Sequence, residues 1–273
     1  MKSHLSTFVI CFLFFVGGLF GQQSTTINVH SNAMQKDIPN VLVLPDDYQQ
    51  NTAKTYPVLY LLHGYSGDQN SWTGIKKNLS QLATRYHMII ICPDGENSWY
   101  WDSPLNPSSK FETYVSKELV AYMDANYRTR PNPAGRAVTG LSMGGHGGMW
   151  LGIRNQDVFG GCGSMSGGVD ILPFPENWEM KTQLGTLADN HDHWKDHTVI
   201  NQVHKIKGGK LAIIIDCGTG DFFFEVNEAL HEKLIYMNIP HDYIVRPGVH
   251  NGAYWENAID YQILYFAKFF GTY

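Results

Sequence analysis

Short apolar runs of strand length recur along this chain, and segments with helix-like patterns separate the later runs. The runs lie at residues 26–31, 40–45, 57–62, 88–92, 136–139, 160–165, 211–216 and 242–246. Several are continuously apolar, which is typical of strands buried on both faces of a parallel sheet. Strands that alternate with helices predict an α/β fold, here with an eight-stranded, mostly parallel sheet and helices on both faces.

A serine between two glycines follows the fifth apolar run. Gly140, Ser142 and Gly144 form a G-x-S-x-G sequence between residues 136–139 and a helix-like segment. A strand, a sharp turn and a helix in this order expose a nucleophilic serine, and the glycines leave room for a strained backbone and a close neighbouring strand. We therefore predict that Ser142 is a nucleophile.

A serine nucleophile needs a histidine base and an acid that orients the histidine, and in this arrangement both follow the serine along the chain. The apolar run at 211–216 ends in a glycine-containing turn that can present a carboxylate at the sheet edge. We predict Asp221 as the acid. Asp216, near the end of the run, and Glu225, about one helical turn after Asp221, are the alternatives.

The candidate base is His250, on a loop between the strand-like run at 242–246 and the last helix-like segment. The other two histidines after the acid fit less well. His231 falls within a helical pattern and His241 precedes its strand, so neither is expected at the carboxyl edge of the sheet.

An oxyanion hole is predicted from the loop after the third apolar run. In this architecture one donor is the backbone N–H that follows the nucleophile, and the other comes from that loop. The N–H groups of Met143 and Tyr65 meet these conditions. His63 precedes Ser142 in the chain, so we interpret it as a brace for the loop rather than as the base.

An aromatic loop follows the fourth apolar run and contains Trp99, Tyr100, Trp101 and Asp102. Ligands bind at the carboxyl edge of such a sheet, so these four residues are predicted to bind substrate, with the rings stacked on a sugar or an aromatic acyl group. The alternative is that the rings pack the loop onto the core.

A long segment at 172–209 is predicted to form one wall of the pocket through Trp178 and Trp194. Three histidines in this segment have a spacing that allows metal binding: His191, His193 and His197. Their stretch is polar and loop-like, and a serine mechanism needs no metal, so we interpret it as solvated surface. No metal or cofactor is predicted.

The N-terminus has the pattern of a secretory signal peptide. Lys2 precedes a short apolar stretch at 8–20, which ends in small or polar residues. We expect a signal peptide at 1–22, a mature domain at 23–273 and a secreted or periplasmic protein. An uncleaved membrane anchor is the alternative.

Composition narrows the class of protein. The 273 residues are 43% hydrophobic, enough for the core of one α/β domain, and the net charge of −5 argues against nucleic acid as a partner. Cys92, Cys162 and Cys217 follow the signal segment. Three cysteines give no disulfide framework, and whether one pair bonds is left open.

Six motifs resemble those of the esterase D and tributyrin esterase group, which is related to feruloyl and acetyl-xylan esterases, S-formylglutathione hydrolases and mycolyltransferases. They are L-L-H-G-Y-S-G at 61–67, W-Y-W-D-S-P at 99–104, K-E-L at 117–119, G-L-S-M-G-G at 140–145, D-C-G-T-G-D-F-F at 216–223 and P-G-V-H-N-G-A-Y-W at 247–255. The resemblance implies an α/β-hydrolase fold from about residue 28 onward. It assigns the triad to Ser142, Asp221 and His250, and the oxyanion donors to Tyr65 and Met143.

Together these features lead us to expect a secreted serine esterase that works through an acyl-enzyme. Acetyl or feruloyl esters of plant polysaccharide are the expected substrates, from the signal peptide, the aromatic loop and the resemblance. The alternatives are an S-formylglutathione hydrolase, an acyltransferase of the mycolyl type, or a carbohydrate-binding protein whose chemistry has lapsed. The number of subunits is left open.

Overall fold

The computed structural model describes residues 24–273, and the expected signal peptide at 1–22 lies outside this range. The strands are β1 (Ser24–Ser31), β2 (Lys36–Val43), β3 (Val58–Leu62), β4 (Ile89–Pro93), β5 (Arg136–Gly140), β6 (Gly161–Met165), β7 (Ala212–Gly218) and β8 (Asp242–Arg246). They form one sheet in the order β1-β2-β4-β3-β5-β6-β7-β8. β2 is antiparallel to β1 and β4, and all other neighbours are parallel. The predicted eight-stranded α/β architecture is confirmed.

The second strand begins earlier than the apolar pattern predicts. It runs from Lys36 to Val43 rather than over 40–45, because it pairs with β1 along its whole length, with Ser31 opposite Lys36 and Ser24 opposite Val43. The first residues of β2 are mostly polar, so no run of apolar residues indicates where this strand begins.

Nine helices surround the sheet in the described range. They are α1 (Ser71–Ile75), α2 (Leu79–Arg85), α3 (Phe111–Thr113), α4 (Val120–Asn126), α5 (Met143–Arg154), α6 (Lys181–Leu184), α7 (His191–Asp196), α8 (Phe224–Tyr236) and α9 (Gly252–Phe270). A π-helical stretch, Tyr114–Leu119, joins α3 to α4. Over residues 24–273 no helix combines the length and apolar character needed to cross a membrane.

Alternate side chains of the central strands enter two separate layers of the core. On β3, Tyr60 and Leu62 belong to one apolar cluster, whereas Leu59 and Leu61 belong to the other. The first cluster contains side chains of α5 and α8, and the second contains side chains of α1, α2 and α9. The helices therefore cover both faces of the sheet, and the carboxyl ends of its parallel strands remain available for a site.

The segment between β6 and β7 differs from its prediction in one part. The stretch expected to be loop-like and solvated forms α7, and two of its side chains face inward. Trp194 is fully buried, and His197 stacks on Trp150 with ring centroids 5.3 Å apart. These two residues are three positions apart on one helical face, so they anchor the stretch on the core while His191 stays exposed.

The three cysteines of the described range are buried free thiols on separate strands. Cys92 lies on β4, Cys162 on β6 and Cys217 on β7. Burial raises the pKa of each thiol, because the apolar surroundings disfavour the thiolate. They therefore behave as small apolar side chains of the core.

A histidine in the first turns of α5, His146, is fully buried. The Nε2 atom of His146 accepts a hydrogen bond from the indole N–H of Trp101 at 2.8 Å, and its Nδ1–H donates to the Gly168 carbonyl at 2.9 Å. The ring also stacks on Trp150. Burial disfavours the charged imidazolium and lowers the pKa of His146 to about 3.

This low pKa predicts a specific loss of stability in acid. In the unfolded chain a histidine binds a proton near pH 6.5, so the stability that neutral His146 contributes is fully present above that pH. It is lost as the pH falls toward 3, with a slope of up to about 1.4 kcal/mol per pH unit. We expect the difference in unfolding free energy between wild type and His146→Gln to shrink between pH 7 and pH 4, as measured by urea unfolding.

The exposed His191→Gln variant is the matched control, because it removes a histidine side chain from the surface rather than from the core. A wild-type-to-His146→Gln difference that stays constant from pH 7 to pH 4 would contradict the neutral, buried assignment.

Candidate active site

Ser142 lies in a strained turn between β5 and α5. Its backbone has φ 54° and ψ −117°, a left-handed conformation that is costly for a residue with a side chain. Hydrogen bonds hold the turn from both sides. The Ser142 N–H donates to the Met165 carbonyl at 2.9 Å, and the Gly144 N–H donates to the Leu141 carbonyl at 2.7 Å. The turn thereby places the Ser142 side chain at the N-terminal end of α5.

Close backbone contact explains the glycine at position 144. A Cβ atom there would lie 2.4 Å from the carbonyl oxygen of Leu62 and 2.6 Å from that of His63. Distances this short are not tolerated against backbone atoms, so only glycine allows α5 to begin so close to the end of β3.

The structure brings Ser142, His250 and Asp221 into one hydrogen-bonded chain. Nε2 of His250 is 2.9 Å from Oγ of Ser142, and Nδ1 of His250 is 3.0 and 2.9 Å from the two carboxylate oxygens of Asp221. An ionised carboxylate only accepts hydrogen bonds, so in the neutral imidazole Nδ1 carries the proton and Nε2 accepts from the serine hydroxyl. This is the tautomer that a general base requires.

Each partner comes from a loop at the carboxyl end of a strand. Asp221 follows β7 and His250 follows β8. The Asp221 carboxylate is fully buried and also accepts a hydrogen bond from the Phe223 N–H at 2.9 Å, whereas the His250 side chain remains 14% exposed. The acid is therefore fixed, and the histidine is open on the side where a substrate would bind.

The two alternative carboxylates are placed elsewhere. Asp216 accepts hydrogen bonds from Arg246 and from the hydroxyl of Tyr254. Burial raises the pKa of Asp216 despite these two partners, which lower it. Glu225 is exposed in the first turn of α8. Of the three carboxylates considered from the sequence, Asp221 is the one in contact with His250.

The loop expected to supply an oxyanion donor packs directly on the serine turn. A Cβ atom at Gly64 would lie 3.3 Å from Cβ of Ser142, and within the described range the N–H groups of Tyr65 and Met143 donate to no protein acceptor. His63 braces the loop, since Nδ1–H donates to the Gly64 carbonyl at 2.7 Å and Nε2 accepts from the Gly95 N–H at 2.7 Å.

A cleft of about 430 Å³ opens beside this chain of residues. Two aromatic side chains of the cleft, Phe222 and Trp255, pack on His250. The ring of Phe222 lies 4.2 Å from the imidazole, centroid to centroid, and stacks on Trp178 at 5.7 Å. The ring of Trp255 meets the imidazole edge-on at 4.9 Å. Phe222 is 52% exposed, so it offers a free aromatic surface.

The prediction that Trp99, Tyr100 and Trp101 stack on substrate is wrong. Their exposed fractions are 1%, 0% and 0%, because the loop turns these rings into the core. Trp99 and Trp101 stack on each other, and the hydroxyl of Tyr100 donates to the His63 carbonyl at 3.1 Å. The core-packing alternative is the correct one.

The Asp102 side chain also has a structural role. Its carboxylate accepts hydrogen bonds from the backbone N–H of Thr113 at 2.9 Å and from the Thr113 hydroxyl at 2.6 Å, and so ties the aromatic loop to α3. Its predicted role in substrate binding is therefore not supported.

Phe222 and Trp255 were missed as cleft residues by sequence reasoning, although a signal existed. Phe222 directly follows the predicted acid, and Trp255 is five positions after the predicted base. Of the two tryptophans predicted to form a wall, Trp178 lines the cleft and Trp194 is buried in the core.

Comparisons with known proteins agree with this architecture. A family model described as "Putative esterase" matches residues 31–266. An esterase of Mycobacterium tuberculosis is 37% identical over 131 residues, which cover 47% of this chain and 28% of that protein. An acetyl esterase of Caldicellulosiruptor saccharolyticus is 26% identical over 254 residues, which cover 85% of this chain and 94% of the relative. A solved structure of a ferulic acid esterase has a TM-score of 0.77 and 25% identity, over 90% of this chain and 98% of that one.

The chain belongs to this esterase family, and its described residues have an α/β-hydrolase fold. The resemblance seen in the sequence motifs is thereby confirmed.

The geometry predicts unequal effects at two neighbouring carboxylates. Asp221→Asn removes the acceptor that fixes the His250 tautomer, and we expect kcat for p-nitrophenyl acetate to fall by about 10⁴. Glu225→Gln is the matched control, because it neutralises an exposed carboxylate that makes no contact with His250. Calorimetry should show both variants folded. Comparable kcat values for the two variants would contradict the assignment of Asp221 as the acid that orients His250.

Proposed function

We propose that this protein is a serine carboxylesterase that forms an acyl-enzyme on Ser142. The observation that carries the proposal is the continuous hydrogen-bonded chain from Ser142 through His250 to Asp221 beside an open cleft. Membership of the esterase family supports the same reaction.

In the first half of the proposed reaction, Oγ of Ser142 attacks the ester carbonyl while Nε2 of His250 takes the hydroxyl proton. Asp221 keeps Nδ1 protonated and stabilises the imidazolium that forms. The N–H groups of Tyr65 and Met143 donate to the oxyanion of the tetrahedral intermediate. The intermediate then collapses: the bond between the acyl carbon and the alcohol oxygen breaks while His250 gives its proton to that oxygen. The alcohol leaves, and the acyl group stays on Ser142.

In the second half, water takes the place of the alcohol. His250 removes a proton from water as the water oxygen attacks the acyl carbonyl, and the oxyanion again accepts from the same two N–H groups. Collapse of this intermediate breaks the bond to Oγ, and His250 gives its proton to Ser142. The carboxylic acid leaves, and the enzyme returns to its starting state.

The lining of the cleft favours uncharged esters. Of the twelve residues in the described range that line it, none is a lysine or arginine. The Glu179 carboxylate, next to the lining residue Trp178, accepts a hydrogen bond from the Tyr65 hydroxyl at 3.0 Å. An anionic thiol ester such as S-formylglutathione would find no cation among these residues and would meet this carboxylate. We therefore propose that neutral carboxylic esters are better substrates than S-formylglutathione.

Acetyl and feruloyl esters of plant polysaccharide are the substrates that we propose. The acetyl esterase relative and the ferulic acid esterase structure support these acyl groups. The exposed face of Phe222, stacked on Trp178, supports contact with a sugar or a feruloyl ring. Export from the cell is part of the proposal and depends on the signal-peptide pattern at 1–22.

A substrate panel tests the proposed function. Wild-type protein should hydrolyse acetylated xylan or methyl ferulate with a higher kcat/KM than S-formylglutathione. Ser142→Ala should keep its circular dichroism spectrum and lose kcat by about 10⁴ to 10⁶ on every ester. Turnover that survives in Ser142→Ala would contradict the mechanism, and a preference for S-formylglutathione would contradict the proposed substrates.

The aromatic surface predicts a selective effect at Phe222. Phe222→Leu keeps apolar contact with His250 but removes the flat face, so kcat/KM for methyl ferulate should fall about 2- to 13-fold, the equivalent of about 0.5 to 1.5 kcal/mol. Turnover of ethyl acetate, which has no ring, should stay within about two-fold of wild type.

Tyr236→Leu is the matched control, since Tyr236 is 87% exposed and lies at the far end of α8. It should change neither rate. If Phe222→Leu lowers both rates equally, the ring acts on His250 rather than on the acyl group.

A further inference from the structure

A second polar network lies next to the loop that carries His250. At its centre is the Asp216 carboxylate, which is fully buried. It accepts hydrogen bonds from Nη2 of Arg246 at 2.6 Å and from the Tyr254 hydroxyl at 2.5 Å. The proposed mechanism uses none of these three side chains, so their arrangement calls for a separate explanation.

The two donors stand at opposite ends of one short loop. Arg246 is the last residue of β8, and Tyr254 lies in the first turn of α9. The five residues between these elements, 247–251, include His250 and have no regular secondary structure of their own. A single carboxylate on β7 therefore ties down both ends of the loop that presents the base.

The Tyr254 ring also supports the middle of this loop. A Cβ atom at Gly248 would lie 2.1 Å from Cδ2 of Tyr254, so the loop backbone rests directly on the ring. The Asn251 side chain caps α9 by accepting from the Tyr254 N–H at 3.0 Å, which fixes the helix start relative to the loop.

Backbone hydrogen bonds also join the loop that carries Asp221 to the loop that carries His250. The Gly220 N–H donates to the Gly248 carbonyl at 2.8 Å, and the Thr219 N–H donates to the Arg246 carbonyl at 2.9 Å. Asp216 itself lies on β7, the strand from which the acid loop starts. The network thus holds the acid loop and the histidine loop in one common frame.

Arg246 is itself held in place. One of its terminal nitrogens donates to Oδ1 of Asn257, and its guanidinium lies over the ring of Tyr261, 4.4 Å from the centroid. A buried ion pair adds little net stability, because desolvation offsets much of the attraction, but its hydrogen bonds are directional and require a defined relative geometry. A network of this kind is suited to setting a position.

We propose that Asp216, Arg246 and Tyr254 are positioning residues that hold Nε2 of His250 against Oγ of Ser142. The inference rests on the proposed role of His250 as the base. Misplacement of a catalytic group by about 1 Å can cost up to about 100-fold in rate, so a loosened loop lowers kcat without any change in the residues that touch the ester.

Tyr254→Phe tests the proposal with the smallest change, because it removes one hydroxyl and leaves the ring under Gly248. We expect kcat to fall on the order of 10-fold with KM within two-fold of wild type. Tyr265→Phe is the matched control. It removes a tyrosine hydroxyl from the same helix, at a position beside Ile213 and away from the histidine loop. It should leave kcat unchanged, whatever its effect on the melting temperature.

A double-variant cycle shows whether Tyr254 acts through His250. In a His250→Asn background the residual rate should not fall further when Tyr254→Phe is added, because the group that it positions is already gone. Proton NMR gives a readout without turnover. The resonance of the His250 Nδ1–H, identified by its loss in His250→Asn, should shift or broaden in Tyr254→Phe and stay unchanged in Tyr265→Phe.

Two results would overturn the inference: an unchanged kcat in Tyr254→Phe, or equal losses of kcat from Tyr254→Phe in the wild-type and His250→Asn backgrounds. Either result, with Ser142→Ala inactive, leaves the proposed function intact. Full activity of Ser142→Ala would instead contradict the proposed function and, with it, the inference.

Discussion

The close approach of the first turn of α5 to the end of β3 is the constraint on which the active site depends. Gly144 permits it, since any side chain there would meet the carbonyls of Leu62 and His63. With this contact in place, the turn at Ser142 is held at φ 54°, and the Met143 N–H has no protein acceptor among residues 24–273. The loop with the Tyr65 N–H starts directly after the same strand, so one contact fixes the nucleophile and both proposed oxyanion donors together.

Two buried polar groups, His146 and Asp216, connect the elements around this turn. On α5, neutral His146 joins the aromatic loop to the loop after β6, through its bonds with Trp101 and Gly168. At the sheet edge, the Asp216 carboxylate joins β7, β8 and α9 around the histidine loop. Both groups have their hydrogen-bond partners supplied by the protein, so burial does not leave them unsatisfied. Rigid support of this kind suits the proposed mechanism, in which the oxyanion donors must already be in position before the substrate reacts.

Much of this architecture could be predicted from the sequence because it follows from local patterns. Continuous apolar runs mark the parallel strands, and strand–turn–helix order singles out Ser142. The choice between Asp216 and Asp221 could not be made with certainty, because it depends on β7 extending to Gly218, which keeps Asp216 inside the strand. The aromatic loop was misinterpreted for a different reason. Trp99 and Tyr100 adopt φ values of 55° and 61°, a backbone conformation that is rare for such residues and that no sequence pattern indicates, and their rings are buried.

Intact-protein mass spectrometry after reaction with a fluorophosphonate probe tests the central claim most directly, because such a probe reacts with a serine that has been activated as a nucleophile. The account predicts one adduct per chain, located on Ser142 by peptide mapping. It also predicts that His250→Asn, which keeps the serine, slows labelling by about 10³-fold or more. An adduct on another residue, or labelling of His250→Asn at the wild-type rate, would contradict the account.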